Sequence, residues 1–391
     1  MKNLLMLNAT MSDKPLIMAA KRLGYHVITT GNRPSYKGHD YSSEYVFGDY
    51  SNLEEMLELS KRHDIEAVSC GTSDNTAITA AFLGERLGLK GHDSPSIADA
   101  MHRKGSFKAF AREHGVSSPL AMLFLDRAAA LSHASAISFP AMVKPFDTAG
   151  GKGASKAECP AQFRQAVETA FACSDAGIVV EPFVEGPQYS FLCFLVDAKA
   201  RAFCTWSDHS YRFPFMVSGG VMPADVSDDI VSLMVSEMEK IAQAANLVDG
   251  ILNAQFIVSD GVPWIIEVMR RSPGNWTTSL VSRATGVDWN EWIIKAEAGL
   301  DCSGMPQVSR VEGYYGYASL LAPREGVFSG LRVADELLGN ITVCEIWGRL
   351  GHVVEDATYD KLGLVQMEFG NKEEAERKTA AFYELVEIEM R

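Results

Sequence analysis

The sequence predicts an α/β fold that opens with a doubly wound parallel sheet and passes into α+β structure. Two observations carry this. The first ninety residues alternate short apolar runs with amphipathic helical stretches, and two β-rich segments, roughly 117–187 and 188–310, follow with hairpin signals such as Asp260-Gly261. Apolar strands spaced by helical periodicity imply parallel strands covered on both faces. In order, LLML is a strand, Lys14 to Leu23 a helix stopped by Gly24, and HVITT a second strand. YVFGD is a short third strand, Leu53 to Arg62 a helix, AVSCG a fourth strand, and Thr76 to Leu87 a helix. Ser94-Pro95 combines an N-cap residue with a proline suited to the first helical turn, so helices run from there towards His114 and Gly115. The tail after 310 reads as α+β and ends in a helix from about Lys372.

Composition narrows the function. With 391 residues, 47% of them apolar, the chain can bury the cores of two or three domains. No run approaches the roughly 20 apolar residues of a bilayer span, and the opening MKNLLMLNATMSDK is too short in its apolar part for a secretory signal. A membrane is therefore not an expected partner. A net charge of −14 repels polyphosphate chains, which speaks against nucleic acid. Seven scattered cysteines with no C-x-x-C pair read as reduced thiols in a cytoplasmic protein. The nine dispersed histidines offer no permanent metal cage.

Three stretches could carry chemistry. In FPAMVKPFDTAGGKGAS an apolar strand ends on Lys144 and runs into Gly150, Gly151 and Gly153, where backbone N–H groups can crowd around an anion. Taken alone it reads equally as a flexible hairpin with a solvated Lys152. In IVVEPFVEGPQYS, Glu181 ends an apolar strand, where a carboxylate can receive a purine's exocyclic amine or simply meet solvent. In LNAQFIVSDGVPWIIEVMRRSPG, a three-residue connection at Asp260-Gly261 would put Gln255 and Glu267 opposite each other on one face. Two oxygen-bearing side chains there suit Mg²⁺ shared with a nucleotide's phosphates, although Glu267 could instead be an arginine's structural partner. Alternation sends only one of Arg270 and Arg271 to that face.

Together, in order and spacing, these stretches resemble the ATP-grasp superfamily over nearly the whole chain. The resemblance implies a preATP-grasp domain over 1–94, an ATP-grasp nucleotide-binding domain over 95–310 with a mobile lid at 117–187, and a C-terminal α+β segment over 311–391. It also implies ATP and Mg²⁺ as cofactors. Lys104, eleven residues before Gly115, matches the first phosphate-binding lysine, and Lys144 the lysine on the α/β-phosphates. Gly150, Gly151 and Gly153 match the lid's glycine loop. Glu181 with Phe183 and Val184 matches the adenine hinge, and Gln188 falls at a ribose-binding position. Gln255 and Glu267 match the metal pair, and Arg271 the arginine four residues beyond the metal glutamate. Met269 departs from the pattern: many members have an Asn there that completes the magnesium site, and a thioether is a poor ligand for a hard cation.

The implied activity is ATP-dependent joining of a small-molecule carboxylate to an amine, thiol or other nucleophile through an acyl phosphate. Lys144 and Arg271 would act at the reacting groups. A carboxylase-type enzyme phosphorylating bicarbonate is the second reading, and a nucleotide-binding pseudo-enzyme the third; a homodimer is compatible with all three. Asp74 could contact a substrate amino group or cap a helix. The stretch 205–220, with Trp206, Asp208, His209, Tyr211 and Arg212, should border the site.

Overall fold

The computed structural model describes residues 2–148, 150–358 and 360–391. The four expected N-terminal strands form one parallel sheet in the order Glu44–Phe47, His26–Gly31, Asn3–Leu7, Ile65–Ser69. Alternation along Asn3–Leu7 covers both faces. Leu5 and Leu7 pack with Met56, Leu59 and Leu83 of the helices Leu53–Arg62 and Asp74–Leu87. Leu4 and Met6 pack with Leu16 and Ile17 of Lys14–Arg22, and with Trp289 and Ile293 of Trp289–Glu297. One helix from the first ninety residues cannot cover that face, so a helix from much later in the chain completes it.

The central sheet has eight antiparallel strands: Val262–Met269, Gly250–Ser259, Gln188–Val196, Lys199–His209, Gly219–Met222, Tyr314–Leu321, Lys361–Phe369 and Ile341–Ile346. It runs unbroken across residue 310, because Tyr315 to Ala318 pair with Met222 to Gly219. One face buries Phe191, Leu195, Leu252 and Phe256 against Met234, Met238 and Ile241 of the helix Asp228–Ala244. The opposite face is apolar at Phe194 and Ile251, then turns polar along the same strands at Ser190, Gln188, Asn253 and Gln255. That polar end faces the site.

Between the helices Pro95–His102 and Lys104–Glu113 and the central sheet, residues 122–182 form a small sheet of their own. Its order is Met122–Phe124, Ile178–Pro182, Ala141–Pro145, Ser155–Ala157, with a separate core around Phe163, Val167 and Ile178. The tail corrects the sequence reading. The helix Lys372–Ala380 is followed by Phe382–Leu385 and a last strand, Val386–Met390, which pairs with Gly326–Val333. Val386 and Ile388 alternate inward while Glu387 stays exposed, a period-2 pattern too short to stand out beside the preceding helix.

Arg270 pins the end of the strand Val262–Met269 to the N-terminal half. Its Nε lies 2.8 Å from Asp93 Oδ2 and its Nη2 donates to Val248 O at 2.9 Å, with both side chains almost wholly buried. Removing one member of a buried pair strands the other's charge at a cost of about 3–5 kcal/mol. Arg270→Leu is expected to lower the urea midpoint by a corresponding amount, and an unchanged midpoint would show that the pair does not hold the halves together.

Candidate active site

The helix Lys104–Glu113 presents Lys104 and Lys108, one turn apart, on the face that also carries the buried Phe107. From the small sheet, Lys144 and Glu181 sit on neighbouring antiparallel strands, two positions apart diagonally. Lys144 Nζ donates to Glu181 Oε1 at 2.6 Å, and Lys108 Nζ lies 2.7 Å from Glu181 Oε2 while donating to Ser118 Oγ at 2.8 Å. Burial pushes the Glu181 carboxyl up, but the two ammonium groups outweigh it and hold it below its ordinary range. Burial pulls Lys108 down, against the attraction of Glu181. The carboxylate expected to stand free for a purine amine is thus committed to two lysines. Lys108 escaped the sequence reading, although its i+4 spacing from Lys104 was a usable signal.

The hairpin places Gln255 directly opposite Glu267, as expected, but by another route. The connection is two residues, not three: Asp260 and Gly261 take φ of 51° and 74°, the positive pair that tight hairpin turns demand. A bulge then inserts Ile266 between the Phe256–Ile265 and Gln255–Glu267 pairs and restores the register. Lys104 Nζ lies 3.9 Å from Glu267 Oε2 and donates to the carbonyl of Thr148, tying the strand that carries Glu267 to the glycine loop. At Gly151, φ is 75° and a Cβ would come within 2.7 Å of Phe215 O, so no side chain fits.

Arg271 is braced by Asp74. Its Nε and Nη2 contact the two oxygens of Asp74 at 2.9 and 3.0 Å. Asp74 also meets His102 Nδ1 at 3.0 Å, and His102 Nε2 accepts from Arg270 N at 3.2 Å. Burial raises the Asp74 carboxyl, but Arg271 and His102 outweigh it and hold it far below the carboxylate range. Asp74 therefore is not the helix N-cap. Ser73 occupies the N-cap position, and Asp74, the first helical residue, orients an arginine.

These elements enclose a cavity of about 590 Å³. Of the residues singled out from the sequence, Lys104, Lys144, Gly150, Gly151, Glu181, Phe183, Val184, Gln188, Gln255, Glu267 and Arg271 all line it. Gly153 does not; it turns the loop against Pro145 and Cys173 instead. From 205–220, Trp206 reaches the wall, while Tyr211 and Arg212 turn into the tail, onto Thr379 and Tyr383. A second depression of about 620 Å³ lies beside residues 115–124 and, of the converging charges, takes in Lys108 alone. The cavity also takes in Asn253, Asn275, Thr277, Tyr317 and Lys361. Lys361 Nζ donates to Asn275 Oδ1 at 2.8 Å, and burial pulls it down to about 8. A single lysine opening a tail strand carries no sequence signal.

Among the described residues no three His, Cys, Asp or Glu side chains converge on a metal position. One carboxylate with neighbouring amides fits Mg²⁺, which keeps much of its coordination for water and phosphate oxygens. Deeper on the wall, Gln188 Nε2 and Ser190 Oγ donate to Asp208 at 3.2 and 3.0 Å. Burial pushes the Asp208 carboxyl up to about 7, with the Ser190 and Gln188 bonds opposing and the charge of Glu267 adding.

Residues 104–275 match the family model described as an ATP-grasp domain. The chain is 26% identical over 282 residues to the carbamoyl phosphate synthase large chain of Gemmatimonas aurantiaca, an alignment covering 69% of this chain. It spans about a quarter, 25%, of that relative's length. Among solved structures, L-amino acid ligase from Bacillus licheniformis superposes with a TM-score of 0.84 at 17% identity, covering 100% of this chain and 99% of its own. The biotin carboxylase domain of Hydrogenobacter thermophilus 2-oxoglutarate carboxylase, solved as a dimer with MgADP, ADP and bicarbonate, gives 0.79 at 19%, covering 100% and 91%. Phosphoribosylglycinamide synthetase from Anaerococcus prevotii gives 0.78 at 18%, covering 100% of both chains. At these identities the structural likeness speaks for the fold.

The folded protein holds the Asp208 proton more tightly than the unfolded chain, whose aspartates titrate near about 3.9. Asp208 therefore subtracts stability as pH rises from about 4 to about 7. In thermal melts of wild type and Asp208→Asn across this range, the variant's advantage should grow with pH and then level off. A constant offset would mean that the carboxyl ionises freely.

Proposed function

We propose that the chain is a member of the ATP-grasp superfamily, and within it an ATP- and Mg²⁺-dependent ligase joining a small-molecule carboxylate to an amine or comparable nucleophile. The observation that carries the proposal is the convergence on one cavity of Gln255 and Glu267, opposite each other on the central sheet, with Lys104, Lys144 and Arg271. Phosphoryl transfer from ATP to a carboxylate brings anions together, so it requires fixed cations and positioning more than covalent help from the protein. In this reading the adenine lies by Phe183 and Val184, the ribose by Gln188, and the phosphates beneath Gly150 and Gly151. Lys144 and Lys104 neutralise phosphate charge. Gln255 and Glu267 would hold Mg²⁺, which when bound offsets phosphate charge that the lysines do not reach. The substrate carboxylate takes the γ-phosphoryl group, ADP leaves, and the nucleophile attacks the acyl carbon and expels phosphate. Arg271, locked by Asp74, steadies the carboxylate and the oxyanion that forms on attack. Residues 117–187 act as the lid that keeps water from the acyl phosphate.

The cavity's size, about 590 Å³, and its further walls at Trp206, Tyr317 and Lys361 favour an organic acid over so small an anion as bicarbonate. Lys361 supplies a cation for a second acidic or polar group of the substrate. Among the described residues no carboxylate lies within ion-pair distance of it, which leaves its charge for a ligand. Among the described residues no helix is long and apolar enough to cross a membrane, and a cytoplasmic location accords with the free cysteines.

Lys144→Ala and Glu267→Ala should each abolish carboxylate-dependent ADP release in a screen of acids against amines, while circular dichroism stays native. Lys144 alone accounts for charge-assisted hydrogen bonds of about 1.5–3 kcal/mol. Near-normal turnover in either variant would sink the nucleotide-site assignment. Lys361→Met should raise KM for the acid about tenfold or more and leave KM for ATP unchanged. Because Lys361 is charged below about 8, wild-type KM for the acid should climb as pH passes that value, and the variant should lose the climb. A variant whose acid KM stays at the wild-type value would remove Lys361 from the substrate site.

A further inference from the structure

We propose that Asn253 supplies the metal-binding amide that Met269 cannot, so that the third side-chain oxygen of the metal wall has moved across the sheet to the neighbouring strand. The proposal rests on the metal–nucleotide reading of the cavity. Asn253 pairs directly with Met269, and Gln255 directly with Glu267. Directly opposed residues of antiparallel strands share a face, with Cβ atoms about 4.5–5.5 Å apart, and the diagonal neighbour is still within side-chain reach. An amide carried at 253 therefore serves nearly the same space as an amide carried at 269, beside Glu267 and on the same face as Gln255.

Two further observations single this residue out. Asn253 is only 3% exposed yet lines the cavity, and its Oδ1 accepts no hydrogen bond from any described residue. A buried amide without a partner costs stability unless something else satisfies it, and its neighbours on that face lead into the apolar cluster at Phe194 and Ile251. A leucine would fill the same volume without that cost. Met269 itself is buried at 6% exposure and offers only a soft sulfur. The four residues form a two-by-two patch in which three carry oxygen, a hard donor set suited to Mg²⁺ or Mn²⁺. A half-turn of the Asn253 amide exchanges its two ends, so a cation can select the oxygen.

The test uses the full chain with Mn²⁺ and ADP as probes, free Mn²⁺ being read by electron paramagnetic resonance and metal-free ADP binding by calorimetry. Asn253→Leu should weaken Mn²⁺ binding in the ADP complex about tenfold or more, leave metal-free ADP binding unchanged, and melt no lower than wild type without ligands. Asn253→Leu combined with Met269→Asn should regain the lost Mn²⁺ affinity, because the amide returns on the opposite strand. Asn253→Asp, which keeps an oxygen there, should bind Mn²⁺ at least as well as wild type. Wild-type Mn²⁺ affinity in Asn253→Leu overturns the proposal and leaves the metal reading standing. A clear drop in its ligand-free melting temperature, with no rescue by Met269→Asn, overturns it in favour of a structural amide. Failure of the wild type itself to bind Mn²⁺ with ADP overturns both readings.

Discussion

One extra residue, Ile266, sets which face of the strand Val262–Met269 carries Glu267 and Met269. Without the bulge, the two-residue turn at Asp260-Gly261 would pair Ala254 with Glu267, and Ala254 faces the apolar cluster around Leu252 and Phe256. The carboxylate would be driven into the core and Val268 out into the cavity. Side chains alternate strictly along a strand, so a single inserted residue exchanges the faces of all that follow. With it, Ile265 and Val268 stay in the core while Glu267 and Met269 reach the cavity. The change in face persists into Arg270 and Arg271, of which the first turns to Asp93 and the second to Asp74.

Those two arginines join the end of the hairpin to the N-terminal part of the chain. Asp93 and Asp74 flank the helix Asp74–Leu87 and the loop beyond it, so the parallel sheet and the end of the hairpin share a set of buried ion pairs. His102 closes the set, contacting Asp74 with one ring nitrogen and the backbone of Arg270 with the other. The N-terminal sheet thus has a part in the site's chemistry: it holds the guanidinium of Arg271 in one orientation, without which a long, flexible side chain would have to be ordered by substrate.

Much of this was legible in the sequence because it depends on local patterns. The four parallel strands followed from apolar runs and helical spacing, and most of the residues that line the cavity from three stretches whose order and spacing were informative together. The pairing of Gln255 with Glu267 was also anticipated, though its cause was not: turn length and bulge are set by backbone conformation at Asp260, Gly261 and Ile266, and a three-residue turn would give the same pairing. What stayed hidden depends on contacts between distant segments. Asp74 meets Arg271 across 197 positions, the helix Trp289–Glu297 covers the first strand of the chain, and Lys361 arrives from the tail. The commitment of Glu181 to Lys108 was equally out of view, since a carboxylate at a strand end looks the same whether it meets a ligand or a buried lysine.

The charges around the cavity show how a site for polyanions tolerates its own cations. Lys144 and Lys108 share Glu181, Arg271 is matched by Asp74, and Lys104 lies near Glu267. Each of these four cations has an anion of the protein beside it, so desolvation is offset before any ligand arrives. Glu181 and Asp74 line the cavity together with Lys144 and Arg271, so the charges are balanced at the wall itself. Lys361 differs, having only the neutral Asn275 oxygen, and burial accordingly lowers its proton affinity. A cation left this way is held at a cost in the free protein and regains it when an acidic group binds. The same reasoning applies to the amide of Asn253: polar groups left unsatisfied on an otherwise well-matched wall mark where the ligands must supply what the protein has withheld.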